Sequence, residues 1–315
     1  MGYQNDREMK RFQLALTLAL ALFGSMANAD DDKGIKPDRA VRPVDVPVLP
    51  KAISFADETV PLQNFDTYES LERELLVNTF WHSQTLFNLK QASRYFPQIE
   101  PILKANNVPD DIKYIAVAES SLQNVVSPAK AAGPWQILEG TAKQYGLEVN
   151  ENVDERYNIE KATEAAIIYL KKSKDSLGSW TLAAASYNIG FTGLKRHMNR
   201  QQQTSYYDLL LGDETGRYIF RILAFKIILN DPKAYGFDFG ENDRYPELQY
   251  TEVKVDYAID DLASFAIANK TSYKLLKLYN PWLRSNTLPK KEGKTYIIKL
   301  PKEGFRENAY KQPIS

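Results

Sequence analysis

The sequence predicts a mainly α protein in which a large helical domain precedes a small domain that contains two strands. Apolar residues recur at helical spacing through most of residues 63–240. After residue 245 the period changes, and two alternating segments flank two short helical ones. The chain has 315 residues, 43% hydrophobic and 25% charged, which is the composition of a globular protein with room for both domains.

The first 29 residues are predicted to be a secretory signal. The basic stretch REMKR precedes the apolar run FQLALTLALALF, and ANA at residues 27–29 supplies small side chains for cleavage. The run is shorter than the roughly 20 residues that a membrane-spanning helix needs. We therefore expect an exported, periplasmic protein without a membrane-spanning segment after cleavage. Residues 30–62, charged and rich in proline, are expected to form an extended or partly disordered leader.

Charge and residue counts exclude several classes of function. The 40 basic and 40 acidic residues balance, so nothing favours nucleic acid as a partner. The absence of cysteine excludes disulfides, thiolate catalysis and cysteine metal sites. His82 and His197 have no metal-binding or triad context, and the motifs HExxH, GxxxxGKS/T and GxSxG do not occur. We expect neither a metal nor a cofactor.

The helical domain, residues 63–240, is predicted from segments that end near Gly, Asn or Pro. The first covers residues 67–96 and continues to Asn107. The segment PDDIKYIAVAE follows, with Asp110 or Asp111 as its N-cap. The later helical segments are TAKQYG, EKATEAAIIYLKKSKDSLG, TLAAASYNIG and TGRYIFRILAFKIILN.

The small domain, predicted at residues 246–303, has the order βααβ. The strand patterns YTEVKVD and KTYIIKL enclose the helical patterns DDLASFAIANK and SYKLLKLYN. The turn-rich sequence GENDRYPE separates this module from the helical domain.

Glu119 lies where the apolar face of its helix predicts another buried side chain. Ile112, Ile115 and Glu119 are three and four positions apart, so they share one helix face. Burial and the negative end of the helix dipole both disfavour a carboxylate, so we expect a raised pKa and a proton available near neutral pH. A general acid requires such a proton. The alternative is a helix-end Glu that points into solvent.

The loop SLQNVVSPAKAAGPWQI follows Glu119 and returns polar and aromatic groups towards it. Trp135 and Gln136 could bind a sugar, because aromatic faces stack on pyranose rings and an amide can fix an acetamido group. Taken alone, Trp135 fits a core position better than a sugar platform.

The order of motifs resembles the soluble lytic transglycosylase family, goose-lysozyme-like enzymes that cleave peptidoglycan. After Glu119-Ser120 come SPAKAAGPWQ, TAKQYGL, VDERY, AASYNIG and TGRYIFRILA, over roughly residues 95–235. The resemblance implies a lysozyme-like all-α catalytic domain. The βααβ module, with Asn280-Pro281 and the closing KTYIIKLP, resembles a LysM domain, which implies peptidoglycan binding. The alternative for the module is a small domain that only packs against its neighbour.

The resemblance assigns roles to three residues near the predicted acid. It places the catalytic acid and base on Glu119, puts Ser127 near the catalytic carboxyl and the substrate acetamido group, and matches Gln136 to a substrate-binding glutamine. Ser127 lies eight residues after Glu119, one fewer than in many members, and Gln123-Asn124 stands where Asn-Pro is usual. Taken alone, Ser127 could cap a turn.

Three further residues belong to later motifs of the same family. Tyr187 and Asn188 stand in its Ala-Tyr-Asn motif, where the tyrosine lines the cleavage subsite, and Tyr218 matches a tyrosine whose hydroxyl approaches the catalytic Glu. Taken alone, the two tyrosines fit ordinary core positions and Asn188 a helix cap. Lys130 and Pro134 depart from the Gly and the Leu or Phe that are common in the family.

One acid used twice fits this sequence better than the two carboxylates of an ordinary glycosidase. Glu139, Asp154 and Glu155 are predicted to be helix-flanking surface groups. The alternative for Asp154 and Glu155, in VDERY, is a structural role in which they pair with Arg156 or cap the following helix. The resemblance implies cleavage between N-acetylmuramic acid and N-acetylglucosamine with a 1,6-anhydro product. The alternatives are a hydrolytic muramidase on the same scaffold and a non-catalytic cell-wall-binding protein. The expected partner is the peptidoglycan strand, and no protein partner is indicated.

Overall fold

The computed structural model describes residues 45–310 of the chain. The predicted signal at residues 1–29 and the first part of the predicted leader lie outside the described residues. Residues 46–310 belong to one compact unit. Among the described residues, no helix is both long and apolar enough to cross a membrane.

The last part of the predicted leader is packed on the helical domain. Strands β1 (Ser54–Phe55) and β2 (Glu58–Thr59) form a small antiparallel hairpin, and Phe55 is fully buried in the main core. The Glu58 carboxylate accepts hydrogen bonds from the backbone N–H of Trp180, 2.5 Å, and of Thr181, 2.9 Å. This ordering differs from the extended or partly disordered leader that we expected, because a few apolar residues and one carboxylate find distant partners that local composition does not reveal.

The fold is mainly α, as predicted. The helices of the larger part are α1 (Phe65–Phe80), α2 (His82–Ala105), α3 (Lys113–Ser120), α4 (Glu139–Gln144), α5 (Ile159–Leu177), α6 (Trp180–Ile189), α7 (Phe191–Gln201) and α8 (Asp213–Asn230). Short 3-10 turns lie at Asp110–Ile112, Glu155–Tyr157, Tyr206–Asp208, Pro232–Tyr235 and Glu241–Asp243. The sequence did not predict α7, or the break at Trp81 that separates α1 from α2.

Helix α8 is the central helix of the main core. It packs against α1, α3 and α6, and it buries large apolar side chains such as Ile222 and Phe225. The same packing places the end of α3 beside the first turns of α8. Two residues far apart in sequence, Glu119 and Tyr218, are therefore brought into contact.

The C-terminal module has the predicted order βααβ. Its elements are β3 (Tyr250–Val255), α9 (Leu262–Ala268), α10 (Tyr273–Tyr279), β4 (Tyr296–Pro301) and the short helix α11 (Phe305–Asn308). Strands β3 and β4 are antiparallel, with Tyr250 opposite Pro301 and Val255 opposite Tyr296. The module has its own hydrophobic cluster, and Ala132, Val153 and Tyr157 of the larger part are members of it.

Candidate active site

Helix α3 begins without the side-chain cap that the sequence predicted. Neither Asp110 nor Asp111 caps it. Asp110 accepts a hydrogen bond from Lys113 Nζ at 2.5 Å. Asp111 accepts one from the backbone N–H of Ala56 and one from Lys226 Nζ, both at 2.7 Å. The N-cap prediction is wrong, because these carboxylates bind cations and a distant segment instead of the helix start.

The face of α3 that was predicted from the apolar spacing is buried. Ile112 and Ile115 have no exposed surface, and Glu119 lies one turn further along, partly exposed. The helix ends directly after Glu119-Ser120, at Ser121, which has a left-handed backbone with φ 54°. The carboxyl group thus lies at the C-terminal end of a buried helix, where the helix dipole opposes a negative charge.

The environment of Glu119 favours its protonated form. Burial raises the pKa of the carboxyl group to about 7, although the hydroxyl of Tyr218 donates a hydrogen bond to Glu119 Oε1 and stabilises the charged form. The negative charge of Glu214 raises this pKa further, and the positive charge of Arg221 lowers it. A carboxyl group with this pKa can both donate and accept a proton near neutral pH.

Tyr187 lies close enough to Glu119 for the charge of the carboxyl group to act on it. Its hydroxyl donates a hydrogen bond to the backbone carbonyl of Trp135 at 2.7 Å, and burial together with the charge of Glu119 raises its pKa well above the usual range. Trp135 is 0% exposed, and its Nε1 donates to Thr163 Oγ1 at 2.8 Å. Trp135 is therefore a core residue rather than a sugar platform.

The loop after α3 uses its polar groups to hold its own shape. Ser127 Oγ accepts a hydrogen bond from the backbone N–H of Ala131 at 3.1 Å, which is the contact of a turn. Gln136 Nε2 donates to the carbonyls of Gly133 at 2.8 Å and Val125 at 3.0 Å. The backbone of Gln136 is left-handed, with φ 47°. Ser127 thus has the turn contact that was its alternative interpretation.

Asn188 links the end of α6 to the start of α8. Its Oδ1 accepts a hydrogen bond from Thr215 Oγ1 at 2.7 Å, and its Nδ2 donates to Glu214 at 3.3 Å. A cavity of about 240 Å³ lies alongside, lined in part by Gln136, Tyr187 and Asn188. The structure therefore groups Glu119 with both tyrosines and places Gln136 and Asn188 at one cavity with Tyr187.

The other acids named in the sequence are held in ion pairs. Asp154 and Glu155 are buried, and they pair with Arg156 at 2.7 Å and Lys161 at 2.5 Å, respectively. The surface prediction for these two acids is wrong, and their structural interpretation fits. Glu139 is exposed, and the hydrogen bond from Lys143 lowers its pKa. Within residues 45–310, no three His, Asp or Glu side chains lie close enough together to hold a metal ion.

Sequence reasoning did not identify Glu214 and Arg221, whose charges act on the pKa of the predicted acid, or Glu74, which pairs with Arg217 and Arg221. Glu214, Tyr218 and Arg221 are four and three positions apart on α8, so helical spacing places them on one face. Glu74 on α1 is almost fully buried and accepts a hydrogen bond from Arg217 Nε at 2.6 Å. The helical spacing around Tyr218 could have identified Glu214 and Arg221. No local sequence pattern indicates that Glu74 is buried.

Two parts of the chain match known domain families, one in the helical part and one in the βααβ module. Residues 97–210 match the transglycosylase SLT domain, and residues 251–304 match the soluble lytic transglycosylase C-terminal LysM-like domain. The chain thus contains an SLT transglycosylase domain and a C-terminal LysM-like domain, and the resemblance found in the sequence is confirmed.

Curated relatives agree with this assignment. Over 244 residues the chain is 28% identical to membrane-bound lytic murein transglycosylase D of Escherichia coli strain K12, an alignment that covers 75% of this chain and 51% of that protein. The same protein of Escherichia coli O6:H1 gives the same values. The chain therefore spans about half the length of these relatives.

A crystal structure of an inactive mutant of lytic transglycosylase Slt from Pseudomonas aeruginosa has a TM-score of 0.36 at 17% identity, over 48% of this chain and 26% of that one.

Proposed function

We propose that this chain is a peptidoglycan lytic transglycosylase that cleaves the bond between N-acetylmuramic acid and N-acetylglucosamine. The observation that carries the proposal is the carboxyl group of Glu119, whose pKa is raised to about 7 and which contacts Tyr218, within an SLT transglycosylase domain. The names of the curated relatives support the same activity.

In the proposed reaction Glu119 acts twice. Its proton moves to the glycosidic oxygen, the C1–O bond breaks, and the N-acetylglucosamine side leaves as an alcohol. The Glu119 carboxylate then takes the proton of the muramoyl C6 hydroxyl, whose oxygen attacks C1. The product is a 1,6-anhydro ring, no water is consumed, and Glu119 regains its proton. The hydrogen bond from Tyr218 stabilises the carboxylate that exists between the two steps.

A hydrolytic muramidase is the second candidate, and Glu214 is the observation that favours it. An inverting glycosidase needs a second carboxylate that activates water. The charge of Glu214 is close enough to raise the pKa of Glu119, and this residue lies on the exposed first turn of α8. Asp154 and Glu155 are weaker candidates because both are buried in ion pairs.

We further propose that the protein is exported and that the C-terminal module contacts the same glycan. The signal pattern of residues 1–29 and the LysM-like match at residues 251–304 support these two assignments. Fractionation of cells that express the full chain tests the first, and co-sedimentation with purified sacculi tests the second.

Mass spectrometry of the muropeptides released from purified sacculi tests the activity. The expected products carry 1,6-anhydro-muramoyl ends. Reducing muramoyl ends, together with the loss of activity in Glu214→Gln, would establish the hydrolase instead. Binding to sacculi without any release would indicate a cell-wall-binding protein.

The alkaline limb of the pH–rate profile is expected to shift in opposite directions in two variants. Tyr218→Phe removes a hydrogen bond that lowers the pKa of Glu119, so the alkaline limb of kcat/KM moves from about 7 to higher pH by about one pH unit. Glu214→Gln removes a negative charge that raises this pKa, so the limb moves to lower pH. Rates on isolated glycan strands between pH 5 and 9 measure both shifts. Unchanged limbs in both variants would mean that another group controls the profile.

A further inference from the structure

One buried guanidinium group binds two points of the loop between α3 and α4, residues 121–138. We call this segment the site loop. Arg156 Nη1 donates to the carbonyl of Lys130 at 3.0 Å and to the carbonyl of Ile137 at 3.2 Å. Its Nε and Nη2 bind the carboxylate of Asp154 at 2.9 and 2.7 Å, and its side chain is 10% exposed. The planar group therefore fixes two points of the loop at once.

These two points enclose the part of the site loop that reaches the candidate active site. Gln136 lies directly before the carbonyl that Arg156 binds at Ile137, and Ala132 forms a bridge with Ile137. The carbonyl of Pro134 accepts a hydrogen bond from Ser120 Oγ at 2.7 Å, next to Glu119 in the chain. A displacement of Arg156 would therefore change the position of Gln136 relative to Glu119.

The C-terminal module binds the segment that carries Arg156. The backbone N–H of Asp154 donates to the carbonyl of Trp282 at 2.9 Å, and the N–H of Arg284 donates to the carbonyl of Asn152 at 2.8 Å. Val153 and Leu283 form a bridge between these bonds, and both side chains are fully buried in the cluster of the module. The segment is thus bound to the module both by backbone hydrogen bonds and by a shared buried cluster.

Ion pairs join the module to Glu155 and to two acids that flank the same segment in sequence, Glu148 and Glu160. Lys294 of the module binds Glu148 at 2.5 Å and Glu155 at 2.8 Å, and Lys299 binds Glu160. Glu148 and Glu155 are less than one-tenth exposed, so these pairs are shielded from solvent more than surface pairs are. The module is docked on the larger part by a shared core and by partly buried charges.

We infer that Arg156 is a positioning residue, and that docking of the C-terminal module on residues 152–157 sets the shape of the site loop. The module then supports the active site in addition to any contact with glycan. This inference rests on the proposed function for its effect on rate. Its effect on the loop itself does not depend on that function.

Arg156→Lys tests the inference, because a lysine keeps the charge beside Asp154 but cannot reach both carbonyls of the site loop. We expect kcat on glycan strands to fall about tenfold or more, since small misplacements of binding groups are costly. We expect the alkaline limb to stay in place, because the groups that shift the pKa of Glu119 are unchanged. Amide hydrogen exchange of residues 123–137 is expected to become faster. Lys294→Gln, in the module, should change exchange and kcat in the same direction by a smaller factor.

Ser179→Ala is the matched control. It removes the side chain that caps α6, where Ser179 Oγ accepts from the N–H of Leu182 at 3.1 Å, and so lowers the melting temperature without touching the site loop or the module. Exchange and kcat in Arg156→Lys that do not differ from this control would overturn the inference. If the wild-type chain releases no anhydro ends, the proposed function fails, and hydrogen exchange alone still decides whether Arg156 and the module hold the loop.

Discussion

Glu119→Gln is expected to lower the release of anhydro-muramoyl ends from sacculi by about a thousandfold, which is within the range for loss of a general acid. The amide keeps the size of the side chain, and its oxygen can still accept the hydrogen bond from Tyr218. It has no carboxyl proton to transfer to the glycosidic oxygen. Quantified muropeptide release by the wild type and the variant measures the effect. Activity within a few-fold of the wild type would exclude Glu119 as the acid.

The same substitution has a second expected result, which shows whether the variant is folded. The pKa of Glu119 is raised from 4.5 to about 7, so the unfolded chain loses this proton at lower pH than the folded one. The native state therefore loses stability as pH rises from about 4.5 to about 7 and stays less stable above it. This difference in pKa corresponds to about 3 kcal/mol.

Glu119→Gln removes this loss, so the variant should unfold at a higher urea concentration than the wild type at pH 8 and at a similar one at pH 4. The expected gain in the free energy of unfolding at pH 8 is up to about 3 kcal/mol. An equal difference at both pH values would mean that the carboxyl group does not titrate near neutral pH in the folded protein.

Local periodicity predicted the parts of this fold whose interactions lie close in sequence. The face of α3 with Ile112, Ile115 and Glu119 follows from helical spacing, and so does the expected rise in the pKa of Glu119. The existence of strands β3 and β4 follows from alternation, although their antiparallel pairing was not predicted. Tyr218 is 99 residues from Glu119, and only the resemblance to a family placed it near the acid.

What the sequence did not predict depends on distant partners. Judged from its neighbours in sequence, Asp111 fits an N-cap, but in the folded protein its carboxylate binds Lys226 instead. A structural pairing of Asp154 and Glu155 with Arg156 was one of the two predictions for these acids, but the ion pair between Glu155 and Lys294 of the module was not predicted. Burial of a charged group requires a partner that spacing along the chain does not show.

Gly133→Ala is the second substitution with a large expected effect, and it tests how closely the site loop packs on the segment of Arg156. Gly133 has φ 78°, and a Cβ atom built on it would lie 1.9 Å from the carbonyl oxygen of Arg156. The left-handed backbone alone costs an alanine about 1–2 kcal/mol, and the overlap adds about 1–3 kcal/mol because backbone must move. We expect the free energy of unfolding to fall by the sum of the two contributions, about 2–5 kcal/mol.

The rate is expected to fall about a hundredfold in Gly133→Ala, because a shift of about 1 Å in the loop would displace Gln136 from its bonds to Val125 and Gly133. Gly178→Ala is the control, since Gly178 has φ 91° but no atom within 4 Å of a built Cβ. That variant should lose only the backbone contribution, about 1–2 kcal/mol, and keep its rate. Urea unfolding and muropeptide release measure the pair. Equal losses in both variants would mean that the site loop can move away from Arg156 without cost, and the close packing of these two segments would then not control the site.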